Sequence, residues 1–223
     1  MREVTFWFDF LSPYSWLAFD RAHEFAAEHQ IIWRLRPIVF GAILDATGLV
    51  GPGEVRSKRD GAMRDVEIQA RDRGLTFVGP PAHPFRSLDA LRAACLFQDR
   101  PPMFDVCRAL FAAAWELGRD LTDRIEIASA LERAGHPVEN LAAAIQDPAI
   151  KQCLRTNTEQ AIARGVYGVP TFDAAGELFW GQDRMAHVGR AVTGSLPEPS
   201  EALRSMLQRP IAQGRRNAPG SGR

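Results

Sequence analysis

Sulfur is scarce in this chain. Three of its 223 residues are cysteine, at 95, 107 and 153. The count is odd and the gaps are wide, so neither a disulfide framework nor a zinc site follows. An excess of either charge is also missing: Lys+Arg and Asp+Glu are both 27, a formal net charge of zero. Such a chain exerts no long-range pull on nucleic acid or on an anionic membrane. No apolar run approaches the ~20 residues of a membrane span. The start shows no charged segment leading into an apolar one, so no secretory signal is expected and a reducing cytoplasm is the expected compartment. The five histidines lack metal-ligand spacing, and no metal is expected. Gly48, Gly51 and Gly53 do not follow a strand, which argues against a dinucleotide fingerprint. Gly194-Ser195 is no nucleophile elbow.

What is present is a periodic pattern. Val4, Phe6, Phe8 and Phe10 alternate with Thr5, Trp7 and Asp9, and a period of two predicts a strand. Ser12-Pro13 then opens a helix, a hydroxyl cap followed by proline at the first helical position, and Trp16, Phe19, His23 and Ala26 continue it. Residues 31–36 read as a second strand closed by Pro37. From about 38 to 165 strand signals vanish. Helical spacing joins Leu88, Leu91 and Cys95; Phe104, Cys107, Phe111 and Ala114; Ile125, Ala128 and Leu131; and Val138, Leu141, Ala142 and Ile145. A helix over Pro148–Arg164 opens on proline and stops at Gly165. Strands return at 171–173 and 177–180, followed by a helix through Val192 for which Asp183 can serve as cap, and by a last helix over about 200–207. The order predicts a split α/β layer interrupted by an all-helical insert. Residues 1–40 and 165–208 would form the layer and 41–164 the insert. Residues 209–223, rich in Gly, Pro and Arg toward the end, read as a disordered tail.

Four stretches could carry chemistry. Ser12-Pro13-Tyr14-Ser15 is first a capped helix start. It also places a hydroxyl where a helix N-terminus favours an anion, so Ser12 could donate to a thiolate without being oxidised. In Gly165–Phe172 (GVYGVPTF), Val169–Pro170 is either an ordinary turn or a cis bond that frees the Val169 backbone to pair with an extended peptide. Asp183 is either a helix cap or a carboxylate that holds an amino group. Lys58 lies in a charge run of the kind that is usually solvated. His83, in Ala-His-Pro, reads as structural rather than catalytic.

The Ser-Pro-Tyr-Ser turn, taken with Gly-Val-Pro-Thr-Phe and Trp-Gly-Gln-Asp-Arg at 180–184, resembles the DsbA-like thioredoxin-fold superfamily. Within it the chain resembles the 2-hydroxychromene-2-carboxylate isomerases and the kappa-class glutathione transferases, over about residues 3–195. The resemblance implies a thioredoxin-like fold with a large all-helical insertion, glutathione or another low-molecular-weight thiol as cofactor, a small aromatic substrate and a homodimer. It implies that Ser12 is catalytic and hydrogen-bonds the thiolate, and that Val169, beside a cis Pro170, pairs with the tripeptide backbone. Gln182 and Asp183 would hold the γ-glutamyl end and Lys58 a carboxylate, with Arg64-Asp65 fitting the same alignment. Tyr14, Trp16, Phe40 and Phe85 are candidates to face the aromatic substrate, or else core residues. Two positions depart from the kappa pattern: Leu49 stands where an asparagine binds glutathione, and Gly61 where an aromatic is common. The implied activity is glutathione-dependent isomerisation; conjugation of glutathione to an electrophile, or non-catalytic thiol or peptide binding, are the alternatives. Without a second sulfur, the 12–15 turn cannot perform thiol–disulfide exchange.

Overall fold

The computed structural model describes residues 2–210, and the tail from 211 onward lies outside the described residues. A four-stranded sheet runs in the order β2-β1-β3-β4. Strand β1 (Arg2–Phe8) pairs in parallel with β2 (Ile31–Pro37), Phe6 lying opposite Leu35. On its other side β1 meets β3 (Thr171–Ala174) antiparallel, with Phe6 opposite Phe172. Strand β4 (Glu177–Trp180) closes the sheet antiparallel to β3. The connecting turn uses Ala175 and Gly176, both at positive φ, which suits a tight two-residue hairpin. This is the thioredoxin-like layer that the sequence points to.

The strand β1 alternates in sequence but not in exposure. Val4, Phe6 and Phe8 are buried in the main core, whereas Trp7 packs into a second cluster with Ile38, Ile43, Ala161, Val166 and Val169. Helices therefore cover both faces, as around other strands with parallel neighbours. The expected first helix is two, α1 (Pro13–Asp20) and α2 (Ala22–His29), broken at Arg21.

Seven helices lie between β2 and β3: α3 (Phe40–Thr47), α4 (Arg56–Asp72), α5 (Leu88–Cys95), α6 (Met103–Trp115), α7 (Arg124–Arg133), α8 (Leu141–Ala144) and α9 (Pro148–Arg164). A 3₁₀ turn, Pro52–Glu54, precedes α4. Two of these helices, α3 and α4, escaped the sequence reading, whereas α7 was read with a different buried face. Helix α4 buries only Val66 and Ala70 of its 17 residues, so it shows no apolar face to detect. In α7 the buried face is Ile127, Ala130 and Leu131, and Ile125 is 75% exposed. The helix expected around Leu141 is a single turn capped by Asn140.

The core crosses from sheet to helices without interruption. Phe10 and Phe111 have ring centroids 4.7 Å apart, and Phe8 lies 5.6 Å from Phe111. Each such ring, once buried, contributes roughly 1.5–3 kcal/mol. After β4 come a 3₁₀ turn at Gln182–Arg184, then α10 (Met185–Thr193) and α11 (Glu201–Leu207), the last capped by Ser200. Asp183 sits inside the 3₁₀ turn and does not cap α10, whose first turn has no side-chain cap. No described helix is long and apolar enough to cross a membrane.

Candidate active site

The turn from β1 into α1 is held by a buried carboxylate. Asp9, 1% exposed, accepts from Ser87 Oγ at 2.5 Å, from the Phe40 N–H at 3.0 Å and from the Leu11 N–H at 3.2 Å. One side chain thus joins the β1–α1 turn to the starts of α3 and α5. Burial pushes its pKa up to about 6, against the opposing pull of these donors. His83 braces the turn from outside: with Nε2 protonated it donates to the Leu11 carbonyl at 3.0 Å, and burial holds its pKa below the usual imidazole range. A neutral donor in that position is the structural role its sequence context suggests.

Ser12 caps α1. Its Oγ accepts from the Ser15 N–H at 3.2 Å and donates to the Val169 carbonyl at 3.3 Å. It is 6% exposed. The Val169–Pro170 bond is cis, as one of the two sequence readings has it. Among the described residues, the Ser15 hydroxyl is buried with no hydrogen-bond partner. A hydroxyl donor at the start of α1 therefore meets the cis-proline turn, an arrangement that can stabilise a negatively charged sulfur.

The other sequence-predicted residues fall in three groups. Tyr14 faces α4 and donates to Asp65 Oδ2 at 2.9 Å; burial, then Asp65, raises its phenol pKa, and the nearby Asp183 adds to this. Lys58 is exposed and seven residues before Asp65, so two helical turns place both on one face of α4. Gly61 lies on that face too, with nothing within 4 Å of where a Cβ would stand. Gln182 is engaged by α4: it accepts from Arg73 Nη2 at 2.9 Å and donates to Gln69 Oε1 at 2.6 Å. Asp183 is exposed, 3.4 Å from Arg184.

Trp16 belongs to the core. It is 2% exposed, stacked with Phe77 and Trp115, and its Nε1 donates to Glu116. Of its two sequence readings the buried one holds, and the ring offers no face to a substrate. Phe40 and Phe85 are half-buried, the first against the Trp7 cluster and the second against the main core.

The sequence reading gave Asp9 no role and took Trp180 only as the start of a motif. Asp9 could have been noticed as a carboxylate ending an aromatic strand three residues before Ser12. Trp180 is half-exposed, and its indole lies so close to Gly168 that a Cβ there would collide with it. With Tyr167, 5.1 Å away, it lines a cleft of about 420 Å³ beside the cis-proline turn, together with Leu178, Phe179, Arg184 and His187.

A cis-proline turn facing a capped helix start, on a sheet of this order, defines a class. The chain belongs to the DSBA-like thioredoxin domain family, which residues 3–193 match. It is 28% identical over 186 residues to the 2-hydroxychromene-2-carboxylate isomerase of Sphingobium xenophagum, covering 82% of this chain and 94% of that one. It is 29% identical over 218 residues to glutathione S-transferase kappa 1 of Homo sapiens, covering 88% and 95%. A solved 2-hydroxychromene-2-carboxylate isomerase superposes with a TM-score of 0.79 at 26% identity, over 86% of this chain and 95% of that one.

Proposed function

We propose that this protein is a glutathione-dependent isomerase acting on a small aromatic substrate of the 2-hydroxychromene-2-carboxylate type. The single observation that carries the reading is the Ser12 hydroxyl, seated at the α1 N-terminus and facing the Val169 carbonyl. Bound glutathione supplies a thiolate nucleophile that adds to the substrate's conjugated system and later leaves, so that none is consumed. A free thiol has a pKa near ~8.5 and is mostly protonated at neutral pH. Ser12 shifts its donation from Val169 to the sulfur, and the helix N-terminus adds positive potential. Together they favour the thiolate by roughly 1.4–2.8 kcal/mol. That shift also frees the Val169 carbonyl for backbone pairing with the tripeptide.

The ends of the cofactor find opposite charges. Asp183 holds the ammonium and Lys58 a carboxylate. Both side chains are exposed, so neither has to leave a buried ion pair to do so. Gln182 retains a second lone pair and a second amide hydrogen beyond its bonds to Arg73 and Gln69. Tyr14, Phe40 and Phe85 remain the aromatic candidates for the substrate side.

A second reading, transfer of glutathione to an electrophile, is favoured by the equal likeness to the kappa transferase. Purified protein incubated with glutathione and the chromene separates the two. Isomerisation with glutathione recovered intact supports the isomerase. Accumulating conjugate from chlorodinitrobenzene, without chromene turnover, supports the transferase.

A further inference from the structure

A continuous chain of hydrogen bonds runs from the first turn of α1 to Gln182. Tyr14, two residues past Ser12, donates its hydroxyl to Asp65 Oδ2 at 2.9 Å. Gln69 Nε2 donates to the same oxygen at 2.8 Å. Gln69 Oε1 in turn accepts from Gln182 Nε2 at 2.6 Å and from Arg73 Nη2 at 3.1 Å. The same Arg73 nitrogen donates to Gln182 Oε1 at 2.9 Å, and Arg73 Nη1 donates to the Leu17 carbonyl at 2.7 Å. Asp65, Gln69 and Arg73 follow one another at intervals of four along α4 and its C-terminal cap, which sets them on one face.

The polarity of the chain fixes both amides. A carboxylate accepts and a guanidinium only donates. Asp65 therefore draws the amide nitrogen of Gln69, and Arg73 draws the amide oxygens of Gln69 and Gln182 together. Each glutamine has one orientation that satisfies its neighbours. Turned over, Gln182 would set its NH₂ against the guanidinium and its oxygen against that of Gln69. One lone pair and one N–H of Gln182 stay available, and they keep fixed places beside the exposed carboxylate of Asp183. An ammonium and a carboxylate on the same carbon match that set. The ammonium meets Asp183 and the Gln182 oxygen, and the carboxylate meets the Gln182 N–H.

We propose that Arg73 and Gln69 are positioning residues that give the site its preference for thiols with a free α-amino-acid end, by locking the Gln182 amide in one orientation. The proposal rests on the proposed function, in which Gln182 and Asp183 hold the γ-glutamyl end of glutathione. Neither residue has to touch the thiol. They act through Gln182, whose amide is aimed before the ligand arrives and gives up little rotamer freedom on binding. Without them the amide turns, and its flipped form presents NH₂ to the ligand's ammonium.

The test is calorimetric titration of the full chain with glutathione and with cysteinylglycine, the same thiol without its γ-glutamyl residue. The parent should bind glutathione at least ~10-fold more tightly. Gln69→Leu and Arg73→Leu should each weaken glutathione binding roughly 3–10-fold and leave cysteinylglycine within about 2-fold, so that the preference collapses. Arg73→Lys, which keeps a donor, should retain part of it. Arg73 also holds the Leu17 carbonyl, so Gln69→Leu decides the matter if Arg73→Leu fails to fold. Variants that keep the parental preference overturn this proposal alone. So does an equal loss for both thiols, the mark of a merely structural role. A parent that binds the two thiols equally overturns the assignment of Gln182 and Asp183 as well.

Discussion

The hydroxyl of Ser12 reaches across 157 positions of sequence to donate to the carbonyl oxygen of Val169, 3.3 Å away. The bond joins the first helix to the cis-proline turn and is long for its kind. It can be surrendered when a better acceptor, a charged sulfur, arrives.

Ser12→Ala should therefore separate chemistry from folding. Removing the cap and the Val169 bond should cost about 1–3 kcal/mol of stability. Chromene turnover should fall roughly 10–100-fold, the rate equivalent of the lost thiolate stabilisation. Denaturant melts and initial rates measure the two effects, and unchanged rates would remove Ser12 from the mechanism.

Asp9 should make stability depend on pH in an unusual direction. Its folded pKa of about 6 lies above the ordinary 3.8, so the native state holds a proton that the unfolded chain releases. Its contribution is fully present below about pH 4 and is lost as pH rises through 6, a change of roughly 3 kcal/mol. In Asp9→Asn this part of the pH dependence should disappear. Urea melts at stepped pH would show it as a flattened difference between variant and parent.

Gly168→Ala places a methyl group against the Trp180 indole. The ring has to move or the cis-proline turn has to shift. A loss of about 1–3 kcal/mol is expected, with a change in tryptophan fluorescence. Glutathione affinity should weaken in the same variant, because the displaced turn carries Val169.

Lys58→Ala and Asp183→Asn should each weaken glutathione binding by roughly 10–100-fold in calorimetry, the equivalent of one charge-assisted hydrogen bond. Their melting curves should stay within about 0.5 kcal/mol of the parent, since both residues are exposed. Parental affinity in both variants would remove these residues from the site.

Gly61→Ala should stabilise α4. The position is mid-helix, with open space around the missing Cβ. A gain of about 0.5–1 kcal/mol is expected from helix propensity and the stiffer unfolded chain, read from urea midpoints.

The legible parts of this chain are those where local chemistry coincides with the final structure. Pro148 and Gly165 bracket α9 because a proline start and a glycine end are local requirements of the helix itself. Ser12, Pro170 and the Trp180–Arg184 run were visible as motifs with fixed neighbours. Helix α4 was not, because its residues are held by partners from distant segments: Asp65 by Tyr14 and Gln69 by Gln182. The Asp9 anchor was hidden for the same reason, since Ser87 and the Phe40 N–H reach it only after the insert has folded back.

One guanidinium shows how far that folding back goes. Arg73, at the end of α4, donates to the Leu17 carbonyl at 2.7 Å and to Gln182 at 2.9 Å, with Gln69 bonded alongside. The helical arm is riveted at that end to the first helix and to the segment after the last strand. A jaw fastened in this way does not swing wide. If the proposed function holds, a thiol reaches Ser12 through local side-chain movements rather than through a swing of this arm.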